Sequence, residues 1–382
     1  MTRRTRFAGW IRAALVAAGC LLLTTGCPSS ETTITEDLYV LNENDTTLSI
    51  FTVPGLESAG APIKLASLKP HHLSFDPNHS YFVVVSRVDG GHVNKYDAAT
   101  KHLLATSSLR HFYTGVDVDP AGQYVYVTDF GGGSSSQRTK IYKLHVDDLE
   151  AKDSITAGAR PHSVAVSHNG NVIVAADAGS DEITLYFPNE SVESDVFNIA
   201  VPDPDSAVEL GHPVWEPYGL ALSDDDSLAY LACRKSKSAG QAAIFVFDIP
   251  NRRTVDTIFV PWSNRSGAST NYHLGLCILL DQSRYLAATS QDGNSVYLID
   301  TRRPHTYVEK VFGQNITFGV TATADEKYIC VTANNGNKAD PKEVGWVYEL
   351  RRVGGNLTLI DSVKAGMLPN GCHVKHAAHQ HG

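Results

Sequence analysis

Charge is scarce in this chain, and no apolar run is long. Only 19% of the 382 residues are charged, and acids outnumber bases 41 to 32 for a net charge of −9. Such a surface is unsuited to sequence-independent binding of nucleic acid, which relies on Lys and Arg displacing phosphate counterions. The run from Ala13 to Leu23 is too short to cross a bilayer as a permanent helix. The six cysteines include no CxxC and no CxxCH, which removes zinc-ribbon and covalent-haem sites. GxSxG, HExxH and a phosphate-cradling glycine loop are missing as well, so the familiar hydrolase and nucleotide motifs have no foothold. The 30 Gly and 17 Pro follow no three-residue period and 42% of residues are hydrophobic, which excludes a collagen-like or disordered chain.

The N-terminus has the layout of an export signal. Arg3, Arg4, Arg6 and Arg12 precede the apolar run, with no acid among them. The run ends in LLLTTGCPSS, which resembles the lipobox of bacterial lipoproteins and would make Cys27 the acylated residue. Thr24 stands where Leu is usual, and Ala18-Gly19-Cys20 is a competing site; a plain secretory signal is the alternative. The expected organisation is a signal peptide over residues 1–26, a tether over 27–36, a folded domain over 37–376 and a His-rich tail over 377–382. Lipidation implies a membrane partner reached through acyl chains, on the periplasmic side or at the cell surface.

One pattern recurs seven times along the folded region. It reads PHHLSFDPNHSYFVVVS from Pro70, YTGVDVDPAGQYVYVTD from Tyr113, PHSVAVSHNGNVIVAAD from Pro161 and PYGLALSDDDSLAYLAC from Pro217. Weaker copies follow from His273 and Thr317, with a truncated PNGCHV from Pro369. Anchored on His72, Gly115, Ser163, Gly219, Gly275, Gly319 and Gly371, the period is about 50 residues, within the range of propeller blades. Apolar residues alternate on either side of a turn rich in Asp, Asn, Gly and Pro, which is a β-hairpin with its turn acids in structural roles. Leu38 to Val53 matches strands two and three with no first strand before it, and PNGCHV is a first strand with nothing after it. Joining them completes the seventh blade and leaves no open sheet edge. The fold class is therefore all-β, a seven-bladed β-propeller closed by its own termini.

The second-strand motif YVTD at Tyr126–Asp129, with looser versions VVVS, VAAD and VTAN, resembles the YVTN-repeat β-propellers over residues 37 to 376. That resemblance implies the fold; the superfamily carries binding scaffolds, lactonases and the catalytic propellers of redox enzymes, so function has to be argued from the site.

In such propellers each first strand lines the central channel, and the mouth where those strands begin is the default ligand site. Seven of the 16 histidines, His71, His72, His111, His162, His212, His273 and His373, lie close to the anchors. Converging neutral imidazoles suit copper, iron or zinc. The arrangement is loosely similar to the nitrous oxide reductase propeller, which gathers histidines at one mouth and includes an adjacent pair like His71-His72, and to carotenoid-cleaving oxygenases. No copper-domain cysteine cluster follows, and Phe318 occupies the mouth of another blade. The candidate metal ligands are His71, His72, His162 and His273, supported by His111 and His373; the alternative is a set of histidines that only hydrogen-bond in a polar channel.

His373 sits at the repeat position of Ser74, Asp117, Ala165, Ala221, Cys277 and Thr321, so its imidazole is expected to need the channel for space. Cys372, His376, His379 and His381 follow the last first strand and should leave at the opposite mouth. Tyr113, Trp215, Tyr218 and Phe318, with Phe112 and Tyr272, are aromatic candidates for holding a ligand, while Glu216 and Asp117 are the acids available to a hydrolase. Cys233, Cys277, Cys330 and Cys372 fall in strands of different blades, as disulfides or as core thiols.

Three functions fit these residues. A non-enzymatic, lipid-anchored scaffold binding a protein or small ligand stands first. A metal-binding protein or oxidoreductase using the His cluster stands second, and a lactonase-like hydrolase third.

Overall fold

The computed structural model describes residues 34–131, 137–188, 195–199, 215–235, 241–261, 272–291, 293–313, 315–334 and 343–376. Cys27, His212, His379 and His381 lie outside the described residues, as do the side chains of Tyr272 and His273. Every regular element among the described residues is a strand, and the strands make seven blades of four.

Blades 1 to 7 are numbered by their innermost strands: Pro70–Phe75, Tyr113–Val118, Pro161–Val166, Pro217–Leu222, Tyr272–Leu280, Ile316–Ala322 and Pro369–Lys375. Blade 7 is the closure expected from the termini. Glu36–Asn42 pairs antiparallel with Pro369–Lys375 on one side and with Thr47–Val53 on the other. Two extra pairs, Arg234 with His273 and Lys235 with Tyr272, tie blade 4 to blade 5.

Second strands such as Tyr81–Ser86, Ile173–Asp177 and Tyr285–Ser290 are buried along their whole length. Both faces of each blade pack against a neighbour, so these strands read as continuous apolar runs. The core is accordingly divided among the blade boundaries. One cluster joins blades 3 and 4 through Val174, Leu185, Leu231 and Phe245, and another joins blades 7 and 1 through Tyr39, Leu48, Phe75 and Phe82. The four described cysteines are free thiols in these strands. Burial raises all four, Cys277 and Cys372 to about 12, so they are inert core groups.

The anchor residues mark a feature that the repeat alone did not show. In every blade the first strand carries one residue more than the second opposite it, between Pro70 and Leu73, Tyr113 and Val116, Pro161 and Ser163, and at equivalent places in the other four. This β-bulge puts the anchor against the backbone of the next blade. A Cβ on Gly115 would collide with the His162 carbonyl, one on Gly319 with the Asn370 carbonyl, and one on Gly371 with the His71 carbonyl.

A bulge leaves an amide without a ladder partner. The threonine of the second-strand motif supplies one: Gly115 N donates to Thr128 Oγ1 (2.7 Å) and Gly319 N to Thr332 Oγ1 (2.8 Å). Each hydroxyl then donates onward across the blade boundary, Thr128 to the His162 carbonyl (3.3 Å) and Thr332 to the Asn370 carbonyl (2.7 Å). At the far end the turn acids bond their own backbones, Asp76 accepting from Tyr81 N (2.7 Å) and Asp119 from Gln123 N (2.6 Å).

Thr332→Val preserves shape but strands a buried amide and a buried carbonyl. It should lower unfolding stability by about 1–3 kcal/mol. Denaturant unfolding of the two proteins measures this, and equal midpoints would show that the threonine bridge contributes nothing.

Candidate functional site

The bulges bring the second residue of four first strands to the mouth, and residues at the ends of several second strands rise beside them. From the first set come His71, His162, Tyr218 and Asn370; from the second come Glu43, Arg87, Phe130 and Gln291, each just after its strand, and Arg234, next to last in its own. Residues far apart in sequence meet here because blade 7 closes on blade 1.

His71 and His162 are each 1% exposed. They reach toward each other from blades 1 and 3, with Nε2 atoms 3.4 Å apart. On its other side His71 Nδ1 lies 3.1 Å from Glu43 Oε2, and His162 Nδ1 lies 3.2 Å from the Tyr218 carbonyl oxygen. Ser163 Oγ donates to the same carbonyl at 2.7 Å. Glu43 is itself fixed: Arg87 donates to Oε1 through Nη2 (2.8 Å) and Nε (3.2 Å), and Asn370 Nδ2 donates to Oε2 (2.9 Å). Asn370 Nδ2 is also 2.8 Å from His71 Nδ1.

His72 stacks on His71, their ring centroids 4.5 Å apart, and meets His162 edge-on at 5.4 Å. It hydrogen-bonds the Thr114 backbone. Beyond His162, the rings of His162 and Tyr218 stack at 3.4 Å, and the Arg234 guanidinium covers the other part of the Tyr218 ring at 3.2 Å. Arg234 Nη2 donates to Gln291 Oε1 (3.1 Å), whereas its Nε has no hydrogen-bond partner among the described residues.

Burial holds the three imidazoles neutral. It pulls His71 and His162 well below the ordinary histidine range, helped by neighbouring imidazoles and by the charges of Arg87 and Arg234. His72 is lowered to about 4 by burial and by Arg87, against a raising effect of Glu43. Arg87 also loses hydration, but the charge and hydrogen bonds of Glu43 outweigh that loss and raise it.

Of the expected metal ligands, then, His71, His72 and His162 come together. His111 stands apart, its Nδ1 3.0 Å from Asp129 Oδ2 and its ring stacked on Tyr142. His373 lines the channel as its repeat position requires, but deeper, packed edge-on to Phe75 at 5.3 Å. His376 is at the opposite mouth beside Glu36 and His79. Among the described residues no three His, Cys, Asp or Glu side chains converge on a common point.

The aromatic candidates separate similarly. Tyr218 belongs to the site and Phe318 is half-buried, but Tyr113 is wholly buried in the core between blades 1 and 2. Trp215 is buried between blades 3 and 4 against Phe245. Both precede the bulge: Tyr113 opens its strand and faces blade 1, and Trp215 lies in the bend two residues before Pro217. Asp117 lines the 480 Å³ central channel and accepts from Ser74 Oγ, Val118 N and Val166 N, and Glu216 offers its backbone carbonyl to Arg234 N. Glu43, Arg87, Arg234 and Asn370 were missed. Glu43, Arg87 and Gln291 each directly follow a second strand, and that recurring position was the available signal.

No family model and no curated protein matches the chain. Solved structures do. A periplasmic gluconolactonase of Pseudomonas aeruginosa is 17% identical with a TM-score of 0.68, covering 89% of this chain and 99% of that one. Hydrazine synthase of Kuenenia stuttgartiensis is 15% identical with a TM-score of 0.63 over 82% and 91% of the two chains. The β-propeller domain of Cps50 (Swd1) from Myceliophteria thermophila is 12% identical with a TM-score of 0.59 over 79% and 89%. Likeness at these identities shows the propeller fold and nothing finer.

The buried histidines make stability depend on pH. His71, His72, His162 and His373 are all lowered by burial, His72 to about 4 and His373 to about 3. The unfolded chain therefore binds protons that the fold refuses, and stability complete above about pH 6.5 is lost as pH falls toward 4. Asp117, raised to about 6 by burial, and Asp177, raised well above the usual range, act in the opposite sense below pH 6 but are fewer. Thermal unfolding should show Tm dropping between pH 7 and 5, at a rate of about 1.4 kcal/mol per pH unit for each net proton. A Tm that stays level over that interval would mean these imidazoles are not held neutral.

Proposed function

We propose that this chain is an exported propeller of the YVTN-repeat kind, tethered through Cys27, that binds a small hydroxylated organic acid at its mouth and hydrolyses the corresponding lactone. The observation that carries this reading is a neutral, buried His71 backed by the Glu43 carboxylate and flanked by Arg87 and Arg234. A carboxylate on Nδ1 fixes the tautomer whose Nε2 lone pair can take a proton from water. Hydroxide adding to a lactone carbonyl creates an oxyanion, and guanidinium groups at the rim stabilise it. Collapse breaks the ring C–O bond; the leaving ring oxygen takes the proton back from imidazole, and one water has been consumed to give a hydroxy acid. Arg87 is one-third exposed and keeps donors beyond the two it spends on Glu43, and Arg234 Nε is uncommitted among the described residues. Both suit the carboxylate product. The fold similarity to a gluconolactonase supports the same class of substrate.

With glucono-δ-lactone and related aldonolactones, acid release above the spontaneous rate should fall roughly 100-fold or more in His71→Ala. In Arg87→Ala it should fall less and KM should rise. No acceleration over a panel of sugar lactones, by protein shown to be folded, would sink the hydrolase. The tether has a separate check: Cys27→Ser should move the protein from the membrane fraction to the soluble fraction of the envelope, and an unchanged distribution would leave only a cleaved secretory signal.

A further inference from the structure

We infer that His71 and His162 share one divalent transition-metal ion through their Nε2 atoms, in a site with two protein ligands and open positions. The inference concerns the resting, metal-loaded mouth, in which the His71 Nε2 lone pair is taken and cannot serve as the proposed base; it does not depend on a lactone being the substrate.

Proton bookkeeping carries it. His71 Nδ1 faces a carboxylate oxygen and His162 Nδ1 faces a backbone carbonyl, both obligate acceptors. With the hydrogen on each Nδ1, donated to these acceptors, two Nε2 lone pairs face the same gap of 3.4 Å. The competing tautomer has the Asn370 amide donate to His71 Nδ1 at 2.8 Å, which moves the His71 hydrogen to Nε2 for donation to His162 Nε2. Two opposed lone pairs in a buried site need an electrophile between them. A shared proton is a poor one, because 3.4 Å is long for a hydrogen bond.

A metal ion fits better. Tetrahedral ligation with metal–nitrogen bonds of about 2.0–2.1 Å places two nitrogens roughly 3.3–3.4 Å apart. The outer contacts match as well: a metal-bound histidine gives its other N–H to a carboxylate or a backbone carbonyl, and here there is one of each. Imidazole donors select zinc or copper over magnesium or calcium. No third His, Cys, Asp or Glu converges among the described residues, so the remaining positions would be taken by water or by an oxygen of a bound anion. Such an anion would also offset the charge of Arg234.

The test uses the full mature chain carrying His379→Gln and His381→Gln, so that the tail contributes no ligands. After chelation, cobalt is titrated by its visible absorption and zinc by calorimetry, without substrate. One equivalent should bind. His71→Gln and His162→Gln, confirmed folded by circular dichroism, should each weaken binding at least 10-fold, Glu43→Gln should weaken it about 10–100-fold, and His373→Ala should leave it unchanged. Absence of binding, or binding indifferent to both His71 and His162, would overturn the inference. So would nitrogen NMR of the metal-free protein showing the hydrogen of His71 on Nε2, since a direct imidazole–imidazole hydrogen bond would then fill the gap. Because no step requires turnover, protein that is inactive when metal-free but binds the ion on titration would refute the hydrolase alone.

Discussion

The fit between neighbouring first strands governs this propeller. Each first strand bulges by one residue at its anchor, and five of the seven anchors are glycines: at four of them the next blade's carbonyl stands where a side chain would start, and at Gly275 the Thr289 hydroxyl of its own blade does. That contact sets how closely seven strands can gather round an axis, and the bulge turns the preceding residue toward the mouth. The threonine of the second-strand motif belongs to the same device: it occupies the bulge amide and passes a hydrogen bond to the next blade. What reads in sequence as a family signature is, physically, the means of keeping a bulged strand satisfied inside a ring.

The two anchors that are not glycine are His72 and Ser163, in the two blades that supply His71 and His162. Each replaces close backbone approach with a hydrogen bond to the next blade, His72 with the Thr114 backbone and Ser163 Oγ to the Tyr218 carbonyl. The ring is thereby adapted where the imidazoles enter it. The carbonyl held by Ser163 is also the one that orients His162, so the packing of blade 3 on blade 4 and the orientation of a site residue are a single arrangement.

The fold was legible because its information is periodic. Seven noisy copies of one hairpin reinforce each other, and the unmatched ends of the chain could only complete a blade together. The site was legible in part, since His71, His72 and His162 could be placed at one mouth from their distance to the anchors. Glu43 could not. It lies at the end of the blade-closing strand, and its partner Asn370 is at the other end of the chain; only the join of the termini brings them together. Tyr113 and Trp215 misled for the opposite reason. They are close to the mouth in sequence, but Tyr113 is on the strand face that packs against blade 1, and the bend before Pro217 turns Trp215 into the core between blades 3 and 4.

The cost of this mouth bears on what it does. Glu43, His71, His162 and Asn370 are all nearly removed from water, and apolar side chains could close the top of a channel without the desolvation penalty of burying a carboxylate and its arginine. A passive scaffold would gain nothing from that expense, because partners dock on the rim and not on groups sealed beneath it. The polar chain from Arg87 through Glu43 and His71 to His162 is ordered so that a carboxylate fixes one imidazole and a carbonyl the other, both with reactive nitrogens inward. That order is what acid–base or metal chemistry needs. It is retained against the easier apolar solution, and both the proposed hydrolase and the inferred metal ion draw on it.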